Sequence, residues 1–230
     1  MSAEYKETKL TLIRHGESQC NVDGIIGGES GCTGLSRLGH EHAKALGERA
    51  LKTGEFDEVE VFISSTLPRA IETLDHLIDA LVERSKIRGA DFDPTIEKVS
   101  DLVEMQPGQA DGMTWGEFLE KYGAHDFRQD PHKPIAPGGE SWASFMQRAS
   151  DALEKVASEH AGKSIAIACH GGVIQASMVN FLGLDNYGAR AGLRPDYTSL
   201  TKWAGGPGEW RLVRYNDISH LIGLDLNSSK

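Results

Sequence analysis

Arg14, His15 and Gly16 stand together where the short apolar run Leu10–Ile13 ends, and their types suit chemistry on an anion. A guanidinium presents a planar fork of donors that matches phosphate oxygens. An imidazole is nucleophilic near neutral pH, and glycine lets the chain turn sharply or approach a ligand closely. The same order recurs at His170-Gly171-Gly172, after the apolar run Ser164–Cys169. There a following helix could hold an anion on its free N–H groups. A third site, Ser64-Ser65-Thr66-Leu67-Pro68-Arg69, follows Val61–Ile63. Ser or Thr would cap a helix and Pro68 would open it, which leaves Arg69 beside the positive end of the helix dipole. A cation placed there calls for an anion. An isolated Arg-His pair reads equally as a surface salt bridge beside a core histidine. Two His and two Arg after three separate strands point instead to one phosphate pocket.

The elements that must position these residues alternate along the chain. Lys9–Ile13, Val59–Ser64 and Ser164–Cys169 have the apolar character of buried strands, and Ile96–Val103 reads as a strand leading to Glu104. Leu35–Leu51, Thr66–Arg84 and Glu140–His160 carry helical periodicity, with a shorter helix over Thr114–Lys121 and a buried one over Val173–Val179. Tyr197–Ala204 and Glu209–Tyr215 flank the turn signal Gly205-Gly206-Pro207-Gly208 and read as antiparallel strands. This pattern predicts one α/β domain spanning residues 1–230. The stretch 122–137 is a loop by composition, long enough to face a substrate as a lid. The polar end, Asn227–Lys230, is expected to be mobile.

Composition narrows the partners. A net charge of −10 and a pI near 5.4 argue against nonspecific binding to nucleic acid or to a membrane surface. An anionic substrate must then be drawn by a local positive pocket. Met1–Lys9 lacks the basic and apolar regions of a signal peptide. Ser164–Leu184 is fairly apolar, yet His170, Gly171, Gly172, Gln175 and Asn180 inside it fit a strand, turn and helix better than a membrane span. Cys20, Cys32 and Cys169 are odd in number and not spaced for a metal, so reduced thiols in the cytoplasm are expected. His40 and His42 would project from different faces of one helix, which leaves no metal site there.

These residues, in this order, resemble the histidine phosphatase superfamily, also called the phosphoglycerate-mutase-like family. The resemblance runs from Leu10 to about Gly183. It rests on Arg14-His15-Gly16-Glu17-Ser18 with Asn21, on Ser64-Ser65 with Arg69-Ala70 and Thr73, on Glu104 with Gly108 and Gly112, on Pro137-Gly138-Gly139-Glu140-Ser141, and on His170-Gly171-Gly172. It implies a three-layer sandwich with a mostly parallel central sheet flanked by helices. It also implies a phosphohistidine intermediate on His15, and no metal or organic cofactor. Arg14, Arg69 and a cationic His170 would surround the phosphoryl oxygens, and Asn21 and Gly171 would help bind the substrate. Glu104 would protonate the leaving oxygen and then accept a proton from water; Asp111 and Glu117 compete for that role.

Other residues bear on the substrate, a small phosphorylated molecule. Gly24–Gly34 lacks the Gly-Lys-Ser/Thr ending of a nucleotide loop; it is a substrate loop in which Gly28 offers a backbone N–H, or else a plain flexible loop. Trp115 and Trp142 fit the core or the pocket mouth. Mutases of the family carry a Tyr three residues after the acid Glu and an Arg-Arg pair in the lid; here Pro107 and the single Arg128 stand there. The chain is therefore expected to be a phosphatase. The alternatives are a phosphoglycerate mutase-type transferase and a silent module that binds phosphorylated ligands. Neither the substrate nor the oligomeric state is legible.

Overall fold

Six strands form one sheet in the order β3-β2-β4-β1-β5-β6. In the computed structural model, which describes residues 6–184, 192–206 and 208–224, they are β1 (Thr8–Arg14), β2 (Val61–Ser65), β3 (Ile96–Val99), β4 (Ser164–Cys169), β5 (Leu200–Gly206) and β6 (Glu209–Asp217). The first four run parallel, whereas β5 and β6 are antiparallel additions at one side. β3 stops four residues before the expected end, because Ser100–Leu102 turn into a single 3-10 turn that redirects the chain toward Glu104. Pro207 and Asn227–Lys230 lie outside the described residues.

The helices are α1 (Gln19–Val22), α2 (Arg37–Thr53), α3 (Pro68–Ile87), α4 (Trp115–Tyr122), α5 (Trp142–Glu159) and α6 (Gly171–Phe181). Strand side chains alternate between two faces, and the two faces have different cores. Leu10, Leu12, Ile165 and Ile167 pack with Phe145, Leu153 and Val173 from α5 and α6. Ile13, Phe62, Ala166 and Ala168 pack with Leu46, Ala50, Leu74 and Leu77 from α2 and α3. Helices thus cover both faces of a mostly parallel sheet, as the resemblance implied. Among the described residues no helix is long and apolar enough to cross a membrane.

Register does the positioning. β1 pairs with β4 so that Arg14 lies opposite Cys169, and the His15 N–H donates to the Cys169 carbonyl at 3.0 Å. The residues that follow each strand, His15 and His170, therefore emerge side by side at the carboxyl ends. The turn at Gly16 also touches α2: a Cβ built there would sit 2.5 Å from the Gly39 carbonyl oxygen. Its N–H donates to Thr73 Oγ1 on α3 at 3.0 Å, and Thr73 in turn donates to the Arg69 carbonyl. Gly16→Ala must push backbone against backbone, an overpacking that costs about 1–3 kcal/mol. Urea unfolding should show that loss, and a variant as stable as the wild type would contradict the close approach.

Candidate active site

The first core residue is His15, buried with its ring beside that of His170, centroids 5.1 Å apart. Its Nδ1 lies 2.6 Å from the Gly16 carbonyl, which can only accept, so Nδ1 carries the proton. The lone pair is then on Nε2, where Arg69 Nε donates at 3.2 Å. Burial, then the charges of Arg69 and Arg14, hold the imidazole well below the usual histidine range, although the Gly16 carbonyl opposes them. His15 is a neutral imidazole whose lone pair lies on Nε2.

Two guanidiniums flank it. Arg69 is the second residue of α3 and is buried; its NH1 donates to the Gly27 carbonyl at 2.9 Å. Arg14 donates through NH1 to the Pro195 carbonyl at 2.6 Å, and its guanidinium carbon lies 4.1 Å from the Tyr197 ring centroid. These contacts leave Arg14 Nε buried without a hydrogen-bond partner. Leu67, rather than a Ser or Thr, occupies the cap position of α3. Ser65 is used elsewhere: its Oγ lies 2.7 Å from His170 Nε2 and accepts from the Leu67 N–H.

His170 is fully buried, and its Nδ1 also lacks a partner. The resemblance implied a cation at this position. In the free site burial, Arg69, His15 and Arg14 push its pKa well down, so it is neutral. Glu104 closes the arrangement from the loop after β3. Its carboxylate accepts the N–H of Gly172 at 3.0 Å and of Met105 at 3.1 Å. Any side chain at position 172 would collide with this carboxylate and with the Phe145 ring. Arg148 on α5 holds the segment through the carbonyls of Asp101, Val103 and Glu104, and pairs with Glu140 at 2.7 Å.

The rival carboxylates are occupied. Asp111 accepts the N–H groups of Gly28, Ser30 and Gly31 at 2.8–2.9 Å, and Glu117 forms the capping box of α4 with Thr114. Gly28 therefore does not offer its N–H to a substrate, and it is the neighbouring Gly27 that faces the cavity. That cavity, about 410 Å³, is lined by Arg14, His15, Arg69, Glu104, Asn21 and Gly171 together with residues the sequence reading had not marked: Cys20, Gln175 and Arg194. Trp115 and Trp142 are both on its wall; Trp115 is exposed, whereas Trp142 also packs against the core under α5 and α6. Ile135, from the stretch expected to be a lid, lines it too and is buried with Ile26, Ala110 and Phe118. Among the described residues no three His, Cys, Asp or Glu converge as metal ligands, and the buried His42 and exposed His40 diverge as expected.

A mostly parallel sheet whose strand ends bring two histidines and two arginines together defines a phosphoryl-handling enzyme. The chain belongs to the histidine phosphatase superfamily (branch 1), which it matches over residues 10–218. It is 30% identical over 228 residues to the metal-independent phosphoserine phosphatase of Arabidopsis thaliana, covering 97% of this chain and 87% of that protein. It is 29% identical over 183 residues to a 2,3-bisphosphoglycerate-dependent phosphoglycerate mutase of Brucella melitensis, covering 76% and 82%. The solved structure of Bacillus stearothermophilus YhfR superimposes with a TM-score of 0.74 at 27% identity, covering 93% of this chain and 99% of that one.

The depressed histidines have a measurable consequence. Below about pH 6.5 the unfolded chain binds protons that native His15 and His170 refuse, so acidification lowers stability. A dianion in the pocket should offset the arginine charges and let His170 take a proton. Tungstate, which does not itself titrate near neutrality, should bind at pH 6.5 with uptake of up to about one proton. Calorimetry in buffers of different ionisation enthalpy reads this directly. Heat independent of buffer would mean that His170 stays neutral, and His170→Asn should abolish the uptake.

Proposed function

We propose that this protein hydrolyses small phosphomonoesters through a phosphohistidine on His15. The observation that carries the reading is a set of buried polar atoms at the site that lack partners or can exchange one. Arg14 Nε and His170 Nδ1 have no hydrogen-bond partner, and the lone pair on His15 Nε2 meets the Arg69 Nε–H at 3.2 Å. Buried polar groups are ordinarily paired, and a phosphoryl group supplies the acceptors that these lack. Arg69 moves from His15 to a phosphoryl oxygen as the ester enters. His15 attacks phosphorus, Glu104 protonates the departing alkoxide, and the same carboxylate then deprotonates the water that releases phosphate. Beyond Arg14 and Arg69 the described cavity lining offers one cation, Arg194, among Pro107, Ile135, Trp115 and Trp142; this favours hydrolysis over mutase transfer, in which a returning second phosphate needs more than one.

The substrate carries a second acidic group. Arg194 lines the rim, exposed and without an ion pair among the described residues, and Gln175 ties the adjoining loop by donating to the Leu193 carbonyl at 2.5 Å. The Arabidopsis relative makes phosphoserine the first compound to test; its carboxylate would meet Arg194.

Two measurements test these assignments. After incubation with a labelled phosphodonor and an alkaline quench, label should remain on the wild type and vanish from His15→Ala. Glu104→Gln should slow the burst with an alkyl phosphate by roughly 10²–10⁴-fold but spare nitrophenyl phosphate, whose anion leaves unaided. Equal losses would remove Glu104 from the acid role.

For Arg194→Ala the expected change is a KM for phosphoserine raised about five- to tenfold, with nitrophenyl phosphate unaffected. A parallel rise for both substrates would place Arg194 outside substrate selection.

A further inference from the structure

The guanidinium of Arg14 rests on an arch of chain, residues 195–199, and the arch has supports of its own. Besides the Pro195 carbonyl and the Tyr197 ring, the Ser199 carbonyl accepts the Arg14 N–H at 3.2 Å, and the Thr198 N–H donates to the His15 carbonyl at 3.3 Å. A turn closes the arch: the Ser199 N–H donates to the Asp196 carbonyl at 3.2 Å. Thr198, the third residue of that turn, has a φ of 53°, which a β-branched residue adopts only against strain. Among the described residues one other non-glycine residue has a positive φ, Asn216 on β6, also at 53°. Asn216 holds the arch from behind. Its Oδ1 accepts the Asp196 N–H at 2.6 Å, and its Nδ2 donates to Asp196 Oδ2 at 2.8 Å. A carboxylate can only accept and a backbone N–H only donate, so the two bonds fix the amide in one orientation. The Asn216 N–H reaches Thr201 Oγ1 at 3.4 Å, which ties this clamp to β5. Asn216 does not line the catalytic cavity.

We propose that Asn216 is a positioning residue for phosphoryl transfer: its paired hydrogen bonds to Asp196 set the arch, and the arch sets the Arg14 guanidinium. The inference rests on the reading of Arg14 as a ligand of the phosphoryl group. No carboxylate is bonded to Arg14 among the described residues, so a carbonyl and a ring face decide where its planar fork points. Its Nε, buried without a partner, is the donor left for the phosphoryl oxygen. Pro195 and Tyr197 flank Asp196 in the chain, so both supports move with it. The backbone of His15 is drawn in as well, because Thr198 donates to its carbonyl. A displacement of about 1 Å in such a support is enough to cost on the order of 100-fold in rate. The strain at Thr198 has the same logic. It persists because the structure on both sides over-determines it: the His15 carbonyl holds its N–H, while its hydroxyl donates to the Tyr197 carbonyl at 2.8 Å and lies 3.0 Å from His220 Nε2.

Asp and Gly both accept a positive φ, so Asn216→Asp and Asn216→Gly remove the clamp without adding backbone strain. Each should lower kcat/KM for nitrophenyl phosphate about ten- to a hundredfold. Asp196→Asn combined with Asn216→Asp exchanges amide and carboxylate and restores both hydrogen bonds. That pair should return the rate to within about threefold of the wild type, a mismatch typical of coupled neighbours. In an Arg14→Ala background Asn216→Asp should cost less than about twofold, because the residue it positions is gone. An equal factor in both backgrounds overturns the proposal, as does an undiminished rate in both single variants. The side-chain Nε–H resonance of Arg14, assigned by its disappearance in Arg14→Ala, needs neither ligand nor turnover. Its ring-current shift from Tyr197 should shrink in Asn216→Gly and return in the exchanged pair; an unmoved resonance overturns the positioning role. A wild type that hydrolyses no phosphoester would count against the phosphatase reading, and the resonance would still decide the clamp.

Discussion

Parallel pairing of β1 with β4 is the constraint on which the rest depends. Arg14 opposite Cys169 means that both strands deliver a histidine at the same height, 5.1 Å apart between ring centroids. A slip of one residue would exchange the faces of every side chain on β1. Leu10 and Leu12 would leave the core under α5 and α6, and Ile13 the one under α2 and α3. The geometry of the site and the burial of the core are thus one condition. That condition explains why His15 and His170 sit immediately after strands: their backbones inherit the sheet's register, so few additional contacts are needed to orient them.

The second feature is charge placed where burial resists it. The hydrogen bonds of Arg14 and Arg69 go to the carbonyls of Pro195 and Gly27 and to His15 Nε2. With no carboxylate bonded to them among the described residues, the guanidiniums add to burial in holding both histidines low. Arg49, which does not line the cavity, is locked between Glu55 and Asp217, with Lys202 joining Glu55 at 3.0 Å. Among the described residues Arg14 and Arg69 have no carboxylate partner of this kind, and both line the cavity.

Much of this was legible. A histidine and glycine after an apolar run marks a strand end whichever partner the strand has, and the misplaced cation at Arg69 pointed to an anion before any geometry was known. What escaped were contacts made by backbone or by ring face. Pro195 and Tyr197 orient Arg14 from a segment 181 residues away, through a carbonyl and a π surface that carry no motif. Gly28 was misjudged because a glycine-rich loop does not announce where its N–H groups go. Asp111, 83 residues further on, takes three of them and makes the loop a fixed wall. Ser65 looked like a helix cap, and its hydroxyl turned out to face His170. Short-range chemistry was readable where it is local; where the partner is far along the chain, only the folded arrangement identifies it.

The two ends of the cavity answer to different parts of the molecule. The phosphoryl end is built from strand termini and the first turns of α3 and α6, all anchored in the two large cores. The other end is walled by Ile26, Ile135 and the loop before α4, which share a small separate cluster with Ala110 and Phe118. Changes in that cluster can alter the body of the ester accepted without disturbing the register of β1 and β4. A small cluster has few contacts to lose, so exchange of its residues costs less than exchange of Leu12 or Ile167. The division leaves Ile26 and Ile135, on the cavity wall, independent of the register that fixes His15 and His170.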